Sequence, residues 1–206
     1  MDEHTLTATR LSLHGVAESL IAGPQYRAHG TIRLAVTPGG FGGVKLPLRV
    51  DGTDLVWDGG RAPLTGTLGA LAAAAGVELG TPGNYHDSPD LPADHELTVD
   101  AAAAAVLEDA FARGDAAMRA FAPSETPVLW PEHFDVGIAV DEVNYGVSPG
   151  DAGHPAPYAY VGPWDMTGRT GDFWNAPFGA LRPLAELPDV EALAAFFAQG
   201  RAAAAG

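Results

Sequence analysis

His133 and Asp135 stand two residues apart and are the side chains in this sequence best suited by type and spacing to chemistry. They belong to the stretch from Trp130 to Trp164, which holds two of the seven histidines, two of the four tryptophans and three of the five tyrosines. Read as a strand from His133 to Asp141, the segment alternates. Phe134, Val136, Ile138 and Val140 then form a core face, and His133, Asp135, Gly137, Ala139 and Asp141 share the other. The small residues leave space above that second face. Downstream, Tyr158, Tyr160, Gly162 and Trp164 share one parity, and a strand pairing here leans its aromatics across Gly137 and Ala139. An aromatic wall with a few convergent polar groups is the make-up of a small-molecule pocket. His133 and Asp135 are therefore the candidate catalytic residues, and Tyr158, Tyr160, Trp164 and Trp130 the candidate ligand-binding residues. Tyrosines on paired strands are equally ordinary sheet stabilisers.

Three chemistries fit the pair. His133 and Asp135, with His154, Glu142, Asp151 or a loop group such as His86, supply nitrogen and oxygen ligands suited to a divalent metal. His133 alone, oriented by a carboxylate, suits a general base. Or the two are structural and satisfy each other or nearby backbone, the commonest fate of buried polar groups. Candidate metal ligands are His133, Asp135 and His154; no cofactor is otherwise indicated. Ser148-Pro149-Gly150-Asp151 reads as a turn in which the Asp151 carboxylate bonds nearby amides, so Asp151 serves the turn before any ligand, and Glu142 falls on the opposite face. No G-x-S-x-G elbow, P-loop or G-x-G-x-x-G fingerprint is present; Gly39-Gly40-Phe41-Gly42-Gly43 leads into another strand instead of a helix N-terminus.

Composition narrows the partners. Eleven basic against 26 acidic residues give a net charge of −15, a field that repels nucleic acid and anionic lipid. With no cysteine there is no disulfide, thiol nucleophile or zinc–thiolate site. No apolar run approaches the ~20 residues of a membrane span. The opening MDEHTLTATR is acidic and lacks the apolar core of a secretory signal, so a cytoplasmic location is expected. The Ala, Gly and Asp bias suits a high-GC bacterial genome.

The elements that must position the candidate residues follow from periodicity. Ala8–Gly15 alternates over Leu11 and Leu13 and reads as a strand, or a strand entering a short helix. From His29 to Trp57 short alternating runs are separated by Pro38-Gly39-Gly40 and Asp51-Gly52, the pattern of an antiparallel meander. Thr67 caps a short helix ended by Gly76. Residues 80–97 form a loop with His86, Asp87, Asp90, Asp94, His95 and Glu96, either a solvated acidic loop or a functional one. Thr98–Phe121 is the clearest helix, and a second runs from about Asp189 to Gly200 or beyond. The fold class is α+β: a mostly antiparallel sheet of about seven short strands packed by one long and one C-terminal helix. It forms a single domain over 1–206, in which two similar halves, about 1–122 and 123–206, are conceivable.

Trp130-Pro131-Glu132-His133-Phe134-Asp135, Ser148-Pro149-Gly150-Asp151 and Pro157-Tyr158-Ala159-Tyr160-Val161 resemble a block in bacterial proteins of about this size from high-GC genomes, a family of unknown function. Gly30–Val36 and Arg182-Pro183-Leu184 look similar too. The resemblance implies a shared fold and no catalytic residues. The expected function is a small-molecule-binding protein, or an enzyme, with its pocket over the His133/Asp135 strand. The alternative is a structural or protein-interaction domain with no ligand, and neither reading sets an oligomeric state.

Overall fold

The computed structural model describes residues 2–85 and 88–205. Two compact units emerge: the first takes the chain through Asp109 together with Leu129–Phe134, the second Ala110–Val128 and the chain from Asp135 onward. The architecture is α+β with antiparallel pairing, and the described residues form ten strands, where the sequence pattern suggested about seven. The excess has two sources. Tight turns cut the meander into four-residue pieces, and the stretch expected to be a connection after Asp141 is itself a strand.

In the first unit the leading segment is helical, correcting the strand reading of Ala8–Gly15. Helix α1 (Glu3–Gly15) begins at Asp2, whose side chain accepts from the Thr5 amide at 2.9 Å, an N-cap that satisfies an otherwise orphaned donor. It runs without a break through a π-helical segment, Val16–Ala22, into α2 (Gly23–His29). Leu6, Leu13, Val16, Ala17, Leu20 and Ile21 are buried along it, a helical spacing that outlasts the four-residue alternation around Leu11. Pro24, at the start of α2, lacks the N–H that would bond back into the preceding turn, which favours the looser winding before it. The buried Gln25 ties this helix to the strands: its Nε2 donates to the carbonyls of Thr31 and Arg33, and its Oε1 accepts from the amides of Lys45 and Leu46.

Strands β1 (Leu34–Thr37), β2 (Gly40–Gly43), β3 (Leu48–Asp51), β4 (Asp54–Trp57) and β5 (Gly60–Pro63) make the expected meander in sequential antiparallel order. β6 (Val128–Trp130) pairs antiparallel with β1 through Leu34 and Leu129. Helix α3 (Leu68–Ala75) has the expected Thr67 cap and left-handed Gly76. Helix α4 (Ala101–Phe121) starts three residues later than its periodicity suggested. Asp100 caps it through the amides of Ala102 and Ala103, while the Thr9 and Ser12 hydroxyls, both buried on α1, accept from the amides of Asp100 and Thr98.

In the second unit β7 (Asp135–Val140), β8 (Val143–Ser148), β9 (Tyr158–Pro163) and β10 (Ala180–Pro183) pair in sequential antiparallel order. The C-terminal half of α4 and helix α5 (Val190–Ala205) cover one face. Phe121, Tyr145 and Phe197 meet there with ring centroids 4.8 to 6.0 Å apart, a separation that adds edge and tilted contacts to simple burial.

Candidate functional site

On β7 the alternation from Asp135 onward is as expected, and what crosses it is Tyr160. The register sets Gly137 opposite Gly146 and Gly146 opposite Tyr160, so a row of two glycines leads from β9 across β8 to β7. A Cβ on Gly146 would lie 2.4 Å from the Tyr160 ring, and one on Gly137 would lie 3.2 Å from its hydroxyl. The ring therefore lies flat on space that only glycine leaves open. Its hydroxyl donates to Oδ2 of the buried Asp135. Burial and the Asp135 charge push the Tyr160 pKa well up, so the phenol keeps its proton. The sequence had β9 directly beside β7; in the structure β8 stands between them and the tyrosine spans it.

The neighbouring tyrosine makes a second pair. Tyr158 Oη donates to Asp151 Oδ2 at 2.5 Å, and Asp151 Oδ1 accepts from the amides of Gly153 and His154 at 2.7 and 2.8 Å. Burial pushes the Asp151 carboxyl up, but these three donors outweigh it and hold it below the usual range. Asp151 is thus the turn residue its context suggested. Trp164 is 66 % exposed and donates through Nε1 to Asn144.

His133 sits in a turn ahead of β7. Phe134 there has a φ of 53°, and this left-handed residue breaks the alternation: Phe134 turns inward while His133 stays exposed. Phe134 was expected to begin the core face of the strand; it belongs instead to the first unit. It stacks on His14 with centroids 5.2 Å apart and meets Phe41 edge-on. His14 Nε2 lies 2.7 Å from the Pro131 carbonyl, which assigns the ring proton to Nε2. Burial lowers the His14 pKa to about 4, against the raising effect of that carbonyl. His133 Nε2 lies 3.6 Å from Glu132. Trp130 carries the Arg33 guanidinium 5.8 Å above its ring, and the exposed His154 stands edge-on to Tyr158. So His133 rests with Glu132, Asp135 with Tyr160 and His154 with Tyr158. Among the described residues no group of three or more His, Asp or Glu side chains is arranged to hold a metal ion.

The group that sequence reasoning missed is Glu18. It lies in the middle of the π-helical segment, fully buried, in the run Val-Ala-Glu-Ser-Leu-Ile-Ala. The loop packs onto this segment: the Gly80 amide donates to the Ser19 carbonyl, and a Cβ on Gly23 would sit 1.7 Å from the Gly80 oxygen. The half-buried Tyr85 and Ser88 reach from that loop toward the carboxyl. Burial raises the Glu18 pKa, and the Ser88 and Tyr85 hydroxyls and the Asp90 amide, which lower it, do not restore it. These groups are near enough to bias the proton. Even so, neither Glu18 oxygen nor the Tyr85 hydroxyl closes a hydrogen bond of ordinary geometry among the described residues. Burial and Glu18, with a further push from Glu132, raise the Tyr85 pKa far above its ordinary value. Buried polar atoms are nearly always satisfied, and π-turns recur at functional sites. The signal in the sequence was a single carboxylate in a helical run whose other residues are apolar except for Ser19. His86 and Asp87 of the same loop lie outside the described residues. Farther along the loop, His95 and Ala93 carbonyls accept from the Leu68 and Gly69 amides, so this part is pinned by its backbone.

Compared with family models, curated proteins and solved structures, the chain matches none.

Proposed function

We propose that this chain is a small-molecule-binding protein, of a kind on which an enzyme is readily built, and that its ligand meets Glu18 and Tyr85 beside the Glu132–His133 turn. One observation carries the reading: a fully buried carboxyl in a π-helical turn, neither of whose oxygens closes an ordinary hydrogen bond among the described residues. A group left in that state costs stability, and such sites are where function is paid for in folding energy. Tyr158 and Tyr160 have their hydroxyls committed to Asp151 and Asp135, so in this reading they shape the sheet and Glu18 takes the ligand.

The test is Glu18→Gln, which keeps the shape and removes the titration. Because the folded-state pKa of Glu18 is raised, the folded protein holds this proton more tightly than the unfolded chain. Stability therefore falls as pH rises through the window between the ordinary carboxyl value and the raised one, and the full penalty is present above that window. At neutral pH the variant should be more stable by about 1 kcal/mol or more, the scale of one unsatisfied buried group, and should melt roughly 2–4 °C higher for each kcal/mol in a chain of this size. A loss of stability would mean that the carboxyl has a structural partner, and the reading fails. A second reading, an interaction domain without ligand, draws on Trp164 and on Phe178, 43 % exposed.

A further inference from the structure

Trp164, just past the end of β9 in the second unit, is both presented and fixed. It is 66 % exposed, yet its indole Nε1 donates to Asn144 Oδ1 at 3.0 Å and its amide donates to the Glu142 carbonyl at 3.0 Å. A large ring held this way has little freedom left to lose on meeting a partner, and tryptophan is among the side chains that dominate binding surfaces. The surface beside it is open. Gly162 stands opposite Asn144 in the register, and a Cβ on Gly162 would meet nothing nearer than the Phe178 carbonyl oxygen at 3.4 Å.

The Glu142 carbonyl belongs to the β7–β8 turn. Val140 pairs with Val143, and the two residues between them, Asp141 and Glu142, have φ of 52° and 61°. Asn and Gly fill such a left-handed pair readily; a Glu there is strained. Strain kept at an exposed acidic tip points to a use for its side chains. Arg201 pairs with Asp141 at 2.7 Å, and Arg169 Nε donates to the Asp165 carbonyl at 2.9 Å. These two guanidinium groups stand against the three carboxyls of Asp141, Glu142 and Asp165, in a chain of net charge −15. The Trp164 surface is therefore aromatic with an acidic rim, and it complements a cation.

The rings of this chain indicate which cation. Arg33 lies over Trp130 and Arg169 over Trp174, at 5.8 and 5.5 Å, and Arg182 and Arg201 lie over Phe196 and Phe121 at 5.3 and 5.9 Å. A planar guanidinium stacks through its face and keeps its in-plane N–H groups for carboxylates.

We propose that Trp164, with Glu142 and Asp165 at its rim, is a docking surface for an arginine-bearing basic segment of a partner protein, whose guanidinium stacks on the indole and donates to the rim carboxylates. This surface uses no residue of the Glu18 position, so the two readings are tested separately.

The test is a titration of the 15N-labelled full chain with the peptide acetyl-Gly-Arg-Gly-Arg-Gly-amide, followed at the Trp164 indole N–H resonance. Peptides with lysine or with uncharged citrulline in place of arginine are the comparators. The expected result is a saturable shift of that resonance by the arginine peptide, with the citrulline peptide at least about fivefold weaker and the lysine peptide between them. Trp164→Ala, read at the backbone amides of β8 and β9, should lose about fivefold or more, and Trp164→Tyr should keep most of the binding. Glu142→Gln should lose roughly twofold, and Glu78→Gln, an exposed carboxylate of the first unit, should lose nothing. Unchanged binding by Trp164→Ala overturns the proposal, as does equal binding of the citrulline or lysine peptide. Equal losses in Glu142→Gln and Glu78→Gln overturn it too, because the peptide would then be reading the charge of the whole chain. A shift of the Trp164 resonance with protein concentration alone gives the surface to a second copy and overturns the basic partner.

Discussion

Tyr160 supplies one hydrogen bond to the buried Asp135 carboxylate. The carboxylate is 7 % exposed, and the phenol is brought to it over Gly146 and Gly137. In Tyr160→Phe the ring and its packing survive and one donor to a buried carboxylate is lost. We expect a cost of about 1.5–3 kcal/mol, the usual contribution of a hydrogen bond to a charged group, read as a lower midpoint in urea with an unchanged slope. A variant as stable as the wild type would mean that the short contact contributes nothing. At this scale the sequence was partly legible. Parity placed Asp135 and Tyr160 on one face with a glycine between them, because period-two alternation is a property of any strand. It could not place His133, since a left-handed Phe134 interrupts the alternation and nothing in a phenylalanine announces a positive φ. Glu18 was missed because burial of a charged side chain depends on what covers the helix.

At the scale of elements, α4 and the sheet meet through a missing side chain. A Cβ on Gly114 would lie 2.9 to 3.0 Å from Val136 on β7 and Val147 on β8. Gly114→Ala would gain about 1 kcal/mol of helix propensity, but it forces a methyl into a closed contact, at about 1–3 kcal/mol. Overpacking wins, because both valines are fully buried within strands and have nowhere to retreat. The expected outcome is a net loss of stability in thermal melts; a higher melting temperature would show that the interface can open. Glycine at this position looked from sequence like a kink or an end, yet α4 runs through it. The other element-scale surprise, helix where Ala8–Gly15 alternates, has a similar origin. Four residues of alternation fit either period, and only the longer run through Ile21 decides. The hairpin turns, the Thr67 cap and the long helices were legible because their signals are local.

For the molecule as a whole, charge sets the direction of its acid response, and one histidine gives it a definite window. His14 is neutral in the folded protein down to about pH 4, whereas its ordinary value is 6.5. Above 6.5 neither state binds the proton and the group is silent. Below it the unfolded chain takes up a proton that the folded protein refuses, so stability should decline between pH 6.5 and about 4. The total is roughly 3 kcal/mol at 1.36 kcal/mol per unit. His14→Gln keeps a donor for the Pro131 carbonyl and should flatten that part of the curve in denaturant titrations at a series of pH values. Equal slopes in the two proteins would show that His14 is protonated in place. The fold class could be read from the order of periodic segments, and the bounds of the two units could not, because they depend on Leu129–Phe134 returning to the first unit while the residues after them build the second.

The π-helical segment has a consequence of a different kind. The Gly23 amide reaches back five residues, to the Glu18 carbonyl, where an α-turn reaches four. The direction in which Glu18 points is therefore a matter of counting: one residue more or fewer between Val16 and Ala22 turns the carboxyl away from Tyr85 while changing no residue of either.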